Sequence, residues 1–131
     1  MIKDAPTKVI DDVGQEYDPT DVVGYMEETY PEMTSEFKKI QRDQYELFCR
    51  KQYDYGPQNI AVGTILKTPE DIKLSLLGIW FRMNDKIERM KTLLLRNGEN
   101  SVEGEPVTDS FSDISNYGVM AQVVARGKWA K

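Results

Sequence analysis

The strongest constraint on the fold is a long helical pattern that begins at Pro69 and ends at about Arg96. Thr68 can cap this helix, Pro69 suits its first turn, and Asn97-Gly98 is a typical helix stop. At about 100° per residue, one side forms an apolar stripe. The stripe contains Ile72, Leu76, Ile79, Trp80, Met83, Ile87, Met90 and Leu94, and the opposite side carries Leu74, Leu77, Phe81 and Leu95. We therefore expect the helix to be buried on two sides.

Two further helices are predicted around this one. A leading helix runs from about Ser35 to Gln52, and a third helix runs from about Pro106 to Ala125. Their apolar positions are Phe37, Ile40, Tyr45, Phe48 and Cys49 in the leading helix, and Phe111, Ile114, Gly118, Ala121 and Val124 in the third. A loop of about ten residues makes the second and third helices antiparallel neighbours. Because no strand-like alternation is present, the predicted fold class is all-α: an antiparallel helical hairpin plus a leading helix.

The N-terminal part differs from the rest in charge and in composition. Residues 1–36 carry ten acids and two lysines, whereas residues 37–131 carry fifteen bases and twelve acids. We predict an irregular acidic arm over residues 1–33, with a short helix near Asp21 to Glu28, and a single helical domain over residues 34–131. Duplex nucleic acid is not an expected partner, because the domain has no dense basic stripe to neutralise phosphates.

The absence of histidine narrows the chemistry that this chain can perform. It excludes His-based acid–base catalysis, His-activated nucleophiles and zinc sites of the Cys/His type. The single cysteine, Cys49, cannot form an internal disulfide, which favours a reducing cytoplasm. No apolar run is long enough for a membrane helix, and we expect no membrane partner. Hydrolysis, if it occurs, would depend on carboxylates, lysines, tyrosines or a hard metal ion such as Mg²⁺.

Two pairs of acids lie on the two helices of the predicted hairpin. Asp85 and Glu88 are three residues apart on the second helix, and Asp109 and Asp113 are four apart on the third. If the pairs meet, cations must hold them together, and Mg²⁺ is the fitting cation. Other interpretations stay open: a solvated helix face, helix-dipole stabilisation by Asp109 and Glu105, or ion pairs of Asp85 with Arg82, Lys86 or Arg89. The segment "DYGPQN" can also be only a helix stop and a turn.

Three blocks of this sequence resemble the nucleotide modification associated domain 1 family of small phage and bacterial proteins. The blocks are "RKQYDYGPQN", "GIWFRMNDKIERM" and "EPVTDSFSDISNYGVMA". They match the patterns Lys-x-x-Asp-Tyr-Gly-x-x-Asn, Arg-x-x-Asp-Lys-x-x-Arg, and Glu followed by Asp-x-x-x-Asp-x-x-Asn-Tyr. The matching residues are Lys51, Asp54, Tyr55, Gly56, Asn59, Arg82, Asp85, Lys86, Arg89, Glu105, Asp109, Asp113, Asn116 and Tyr117. The resemblance covers about residues 45–125.

That family is in turn similar to the all-α nucleotide pyrophosphatases of the MazG-like kind. The similarity implies a Mg²⁺-dependent nucleoside triphosphate pyrophosphohydrolase. Its implied metal ligands are Asp85, Glu88, Asp109 and Asp113, and its implied catalytic residues are Asp85, Asp113 and Lys86. The implied substrate-binding residues are Lys51, Asp54, Tyr55, Asn59, Arg82, Arg89, Asn116 and Tyr117. In those enzymes the first acidic helix is richer in glutamate than "NDKIER", where Lys86 and Arg89 flank the acids.

Two other functions are compatible with the same residues. The first is a protein that binds or sequesters a nucleotide, such as a host defence signal, without turnover, because the lysines and arginines among the acids suit direct phosphate binding. The second is a structural interaction module that uses the acidic arm. A helix with two apolar sides also predicts a homodimer or a higher homo-oligomer, and a phage-encoded chain would act in the host cytoplasm.

Overall fold

Helices dominate the part of the chain that the computed structural model describes, which comprises residues 9–10, 12–17, 20–96, 104 and 106–131. The helices are α1 (Val22–Thr29), α2 (Pro31–Tyr55), α3 (Gln58–Ala61), α4 (Pro69–Leu95) and α5 (Val107–Ala125). The strands β1 (Val9–Ile10) and β2 (Glu16–Tyr17) form a two-residue antiparallel pair. The predicted all-α fold class is confirmed, although the pattern of the arm did not predict this strand pair. None of the described helices is both long and apolar enough to cross a bilayer.

The internal contacts divide the chain within α2, between residues 1–43 and residues 44–131. The predicted arm ends ten residues earlier, at residue 33. In the first unit, the carboxylate of Asp21 caps α1 by accepting a hydrogen bond from the Gly24 N–H at 2.9 Å. Lys38 also forms an ion pair with Glu27. The second unit contains the hydrophobic core.

The turn after α2 depends on a left-handed glycine. Gly56 has φ +77°, and its N–H donates to the Gln52 carbonyl at 2.8 Å. Few residues with a β-carbon adopt this conformation, so glycine is the natural residue for ending the helix here. The chain then re-enters a helix as the single turn α3. The segment "DYGPQN" is therefore a helix end, as predicted, but it also begins a short helix that the sequence pattern did not indicate.

The start of α4 agrees with its predicted cap. Thr68 Oγ1 accepts from the Asp71 N–H at 3.1 Å, and the Asp71 side chain accepts from the Thr68 N–H, which completes a capping box. α4 packs against α5, so the predicted helix pair is present. The predicted Asn97-Gly98 stop and the acid Glu105 lie outside the described residues.

The core of the second unit joins α3, α4, α5 and the segment that follows α5. Its buried members are Ile60, Ile79, Met120, Val124 and Trp129. A buried hydroxyl also links α4 to α3, because Ser75 Oγ donates to the Ile60 carbonyl at 2.7 Å. Trp129 packs edge-on against Phe48 of α2 and donates its indole N–H to the Pro57 carbonyl at 2.8 Å. The core thus anchors the turn after α2 as well as the helix pair.

The apolar stripes only partly match the buried residues. Ile72, Leu76 and Met83 pack on the core, and Ile79 is buried. Four other predicted stripe residues, Trp80, Ile87, Leu94 and Phe111, are exposed, whereas Met90 and Ile114 are half-buried. Leu74, Leu77, Phe81 and Leu95 on the second side of α4 are also exposed. In α2 only Phe48 of the predicted apolar residues packs on the core. The prediction that α4 is buried on two sides is therefore wrong for this chain taken alone.

We expect Trp129→Ala to destabilise the protein by about 3–5 kcal/mol, because it empties a buried aromatic site and removes one of the two donors to the Pro57 carbonyl, which keeps only the Ile60 N–H. Urea unfolding followed by circular dichroism measures the change. Tyr53→Ala is the matched control, because Tyr53 is 91% exposed on α2 whereas Trp129 is 6% exposed. Equal unfolding midpoints for the two variants would contradict the anchoring role of Trp129.

Candidate functional site

Three helices line one pocket, and each contributes four residues at the same helical spacing. On each helix the lining residues follow the pattern i, i+3, i+4 and i+7, which places all four on one helical face. They are Phe48, Lys51, Gln52 and Tyr55 from α2, Arg82, Asp85, Lys86 and Arg89 from α4, and Asp113, Asn116, Tyr117 and Met120 from α5. Asn59 of α3 completes the wall, and the cavity measures about 500 Å³. This volume lies within the usual range for small-molecule sites.

All the residues predicted for the site line this pocket except Asp54, Glu88 and Asp109. Asp54 and Glu88 point about 110–120° away from the centre of the lining face of their helices, at 3.6 residues per turn. Asp109 is on the correct side of α5, but it precedes Asp113 by one turn, or about 6 Å along the axis. All three are exposed.

At the centre of the pocket, one carboxylate joins two lysines from different helices. Asp113 Oδ1 is 3.2 Å from Lys51 Nζ of α2, and Asp113 Oδ2 is 3.1 Å from Lys86 Nζ of α4. The Asp113 side chain is only 17% exposed, whereas Lys51 is 45% and Lys86 is 35% exposed. The carboxylate is therefore shielded by the helices, while both ammonium groups belong to side chains that reach solvent. We call this arrangement the lysine bridge.

Arg89 connects α4 to the beginning of α5. Its Nη1 donates to Ser110 Oγ at 2.7 Å, and it also lies 3.5 Å from the Pro106 carbonyl. Ser110 is buried, so this contact fixes the guanidinium beside the helix pair. The sequence also suggested Lys86 as an ion-pair partner of Asp85, but Lys86 pairs with Asp113. Arg89 is thus both a wall residue of the pocket and a structural contact.

Asn116 likewise lines the pocket and also forms a contact between two helices. Its Nδ2 donates to the Gln44 carbonyl of α2 at 3.2 Å, and the neighbouring Ser115 Oγ donates to Gln44 Oε1 at 2.9 Å. These bonds hold α5 against α2 at one side of the pocket. The sequence interpretation assigned Asn116 to ligand binding only, so it missed this link between helices.

The wall residues define which ligands the pocket suits. Its charged groups are the cations Lys51, Arg82, Lys86 and Arg89 and the carboxylates Asp85 and Asp113. The cations therefore outnumber the anions, although the chain as a whole has a net charge of -5. The aromatic rings of Phe48, Tyr55 and Tyr117 also line the cavity. A ligand with a strongly anionic part and a flat apolar part matches this composition.

The carboxylates predicted to hold Mg²⁺ do not assemble into a metal site. In the described part of the chain, no three residues among Asp, Glu, Cys and His lie close enough to share a metal ion. Asp85 and Asp113 both line the pocket, but Glu88 and Asp109 do not. Asp113 already has a lysine on each oxygen. The residues present therefore do not fit the predicted ion, and the cations that Asp113 contacts are lysines of the protein.

The residues that sequence reasoning missed are Phe48, Gln52 and Met120. Each could have been found by extending the helical spacing from a predicted neighbour: Phe48 is three residues before Lys51, Gln52 is three before Tyr55, and Met120 is three after Tyr117.

No family model matches the chain, and neither a curated protein nor a solved structure matches it.

The lysine bridge should give non-additive stability changes. Lys51→Met or Lys86→Met alone leaves Asp113 with one cation, whereas the double variant leaves a shielded carboxylate with neither lysine. We expect the double variant to lose about 0.5–3 kcal/mol more than the sum of the single changes, as measured by urea unfolding. Adding Asp113→Asn to the double variant should restore part of this loss. Additive changes would show that the three groups act independently.

Proposed function

We propose that this chain binds a phosphorylated nucleotide in the pocket between α2, α4 and α5, and retains it without hydrolysis. The observation that carries this proposal is the lysine bridge, with Arg82 and Arg89 on the same wall. The resemblance to the nucleotide modification associated domain 1 family supports a nucleotide rather than another anion.

The phosphates are assigned to the lysines and arginines. A lysine ammonium has three N–H donors, and the bridge occupies one donor on each of Lys51 and Lys86. Both side chains are partly exposed, so their remaining donors can reach phosphate oxygens in the cavity. Arg82 adds a planar fork of donors that suits phosphate geometry. A ligand with two or more phosphates makes the fullest use of these cations.

The base and the sugar are assigned to the aromatic and amide side chains. Tyr55 and Tyr117 can stack on a planar base, and the Asn59 amide can both donate and accept hydrogen bonds. A single nucleotide fits a cavity of about 500 Å³, whereas a duplex does not enter it. The negative net charge of the whole chain further disfavours long polyanions.

Retention is favoured over hydrolysis by the position of the acids. Hydrolysis of the MazG-like kind requires carboxylates that gather metal ions, but only two of the four predicted acids line the pocket. Asp113 is engaged by lysines, which leaves Asp85 as the other wall carboxylate. A phage-type protein of this design would act by lowering the concentration of a nucleotide, such as a host signal.

Calorimetric titration with each nucleoside triphosphate tests the binding assignment. We expect Lys86→Met to weaken binding by about tenfold or more, because a hydrogen bond to a charged group contributes roughly 1.5–3 kcal/mol. Lys91→Met is the matched control, since Lys91 is an exposed lysine of the same helix that does not line the pocket. Equal loss in both variants would indicate non-specific charge attraction and would contradict the assignment.

A pyrophosphate-release assay on the same mixtures, with Mg²⁺ present, separates retention from hydrolysis. We expect no release above the protein-free rate and recovery of intact nucleotide from the complex. Release of pyrophosphate that Asp113→Asn abolishes would instead support the pyrophosphohydrolase.

We also propose that the protein forms a homo-oligomer through α4. Trp80, Ile87 and Leu94 repeat at intervals of seven residues and are all exposed. Such a stripe on a 27-residue helix suits pairing with α4 of a second copy, related by a two-fold axis. The MazG-like resemblance implies self-association of the same kind.

Size-exclusion chromatography with light scattering measures this association. We expect a dimer or a larger assembly, and a shift toward the monomer for Trp80→Glu. Ile65→Glu is the control, because Ile65 is exposed in the segment between α3 and α4. A wild-type protein that remains monomeric at high concentration would contradict the proposal.

A further inference from the structure

The lysine bridge places ammonium groups where a metal ion would stand in a metal-dependent phosphate site. Mg²⁺ sites commonly use one or two carboxylates on one side and phosphate oxygens on the other. In this pocket the most shielded carboxylate, Asp113, has Lys51 on one oxygen and Lys86 on the other. The two lysines come from different helices, so the chain supplies the positive charge from two directions.

This arrangement disfavours a divalent cation on Asp113. To coordinate an Asp113 oxygen, the ion would have to displace an ammonium group, and the other lysine and the wall arginines would repel it. Of the four acids predicted as metal ligands, only Asp85 and Asp113 line the pocket, and the described residues contain no group of three possible metal ligands. Mg²⁺ is reluctant to lose its waters and requires near-ideal octahedral geometry, so a carboxylate that already contacts two ammonium groups is a poor ligand for it.

We infer that the pocket binds the phosphates of its ligand without a metal ion, through Lys51 and Lys86 acting as bridges between Asp113 and phosphate oxygens. This inference rests on the proposed function and specifies the form of the ligand, which is the metal-free polyphosphate. Asp113 is then a positioning residue: it fixes the two ammonium groups and does not contact the phosphates. Mg²⁺ in solution lowers the charge of the ligand and therefore opposes binding to a cationic pocket.

The deciding experiment is a calorimetric titration of the wild-type protein with a nucleoside triphosphate that binds, performed once with excess EDTA and once with excess MgCl₂. We expect the affinity in EDTA to be equal to or higher than the affinity in MgCl₂. Binding that requires Mg²⁺ would overturn the inference while leaving the proposed function intact. Absence of binding in both buffers would instead refute the proposed function. This comparison needs no variant, so it does not depend on the folding of a mutant.

Asp113→Asn provides an independent readout of the positioning role. If Asp113 holds the lysines, the variant should weaken binding by a similar factor in EDTA and in MgCl₂. If Asp113 is a metal ligand, the loss should appear only in MgCl₂, and that result would overturn the inference. Asp43→Asn is the matched control, since Asp43 is an exposed aspartate of α2 outside the pocket wall. Circular dichroism of both variants checks that the helices are retained.

Titration of the ligand-free protein with Mn²⁺, followed by electron paramagnetic resonance, completes the test. We expect the signal of free Mn²⁺ to persist, because both oxygens of Asp113 already contact lysines of the protein. Saturable loss of the signal in the wild type, but not in Asp113→Asn, would contradict the inference.

Discussion

The packing of α4 against α5 is the interaction on which the candidate site depends. Each helix is polar along one face, and neither face alone forms a binding site. The contact between the helices, together with the buried residues Ile79, Met120 and Val124, places Lys86 of one helix within 3.1 Å of Asp113 of the other. α2 then adds Lys51 to the second oxygen of the same carboxylate. The apolar contacts between α4 and α5 stabilise the helix pair, and the same contacts fix the distances between the polar side chains of the pocket.

Local sequence signals were sufficient to predict the long helices α2, α4 and α5 and the polar faces of α4 and α5 that meet, but they did not indicate the single turn α3. A helix cap or a helical spacing depends on only a few neighbouring residues. Examples are the cap at Thr68 and the spacing of Asp113, Asn116 and Tyr117, from which helical geometry gives the face that each side chain occupies. The axial offset between helices was not predictable in this way, because it is set by side-chain packing between segments distant in sequence. Asp109 shows the consequence, since it has the correct face but lies one turn from the acid that forms the bridge.

Two other features depend on long-range contacts that no local pattern contains. Whether Asp113 meets a metal ion or a lysine is decided by Lys51, which is 62 positions away in the chain. The apolar stripe of α4 likewise identifies residues that avoid water, but it does not identify what covers them. Ile79 is covered by the core, whereas Trp80, the next residue, is 55% exposed. Periodicity therefore gave the direction of each side chain and not its environment.

Trp129 is a natural fluorophore that lies next to a residue of the pocket wall. Its indole ring is buried and lies 5.9 Å, centroid to centroid, from the ring of Phe48, which lines the cavity. The only other tryptophan, Trp80, is exposed on α4 and is absent from the pocket wall. We expect the shielded Trp129 to emit at shorter wavelengths than the exposed Trp80. If the pocket binds a nucleotide and α4 mediates self-association as proposed, ligand binding should change the emission of Trp129 and association should change the emission of Trp80.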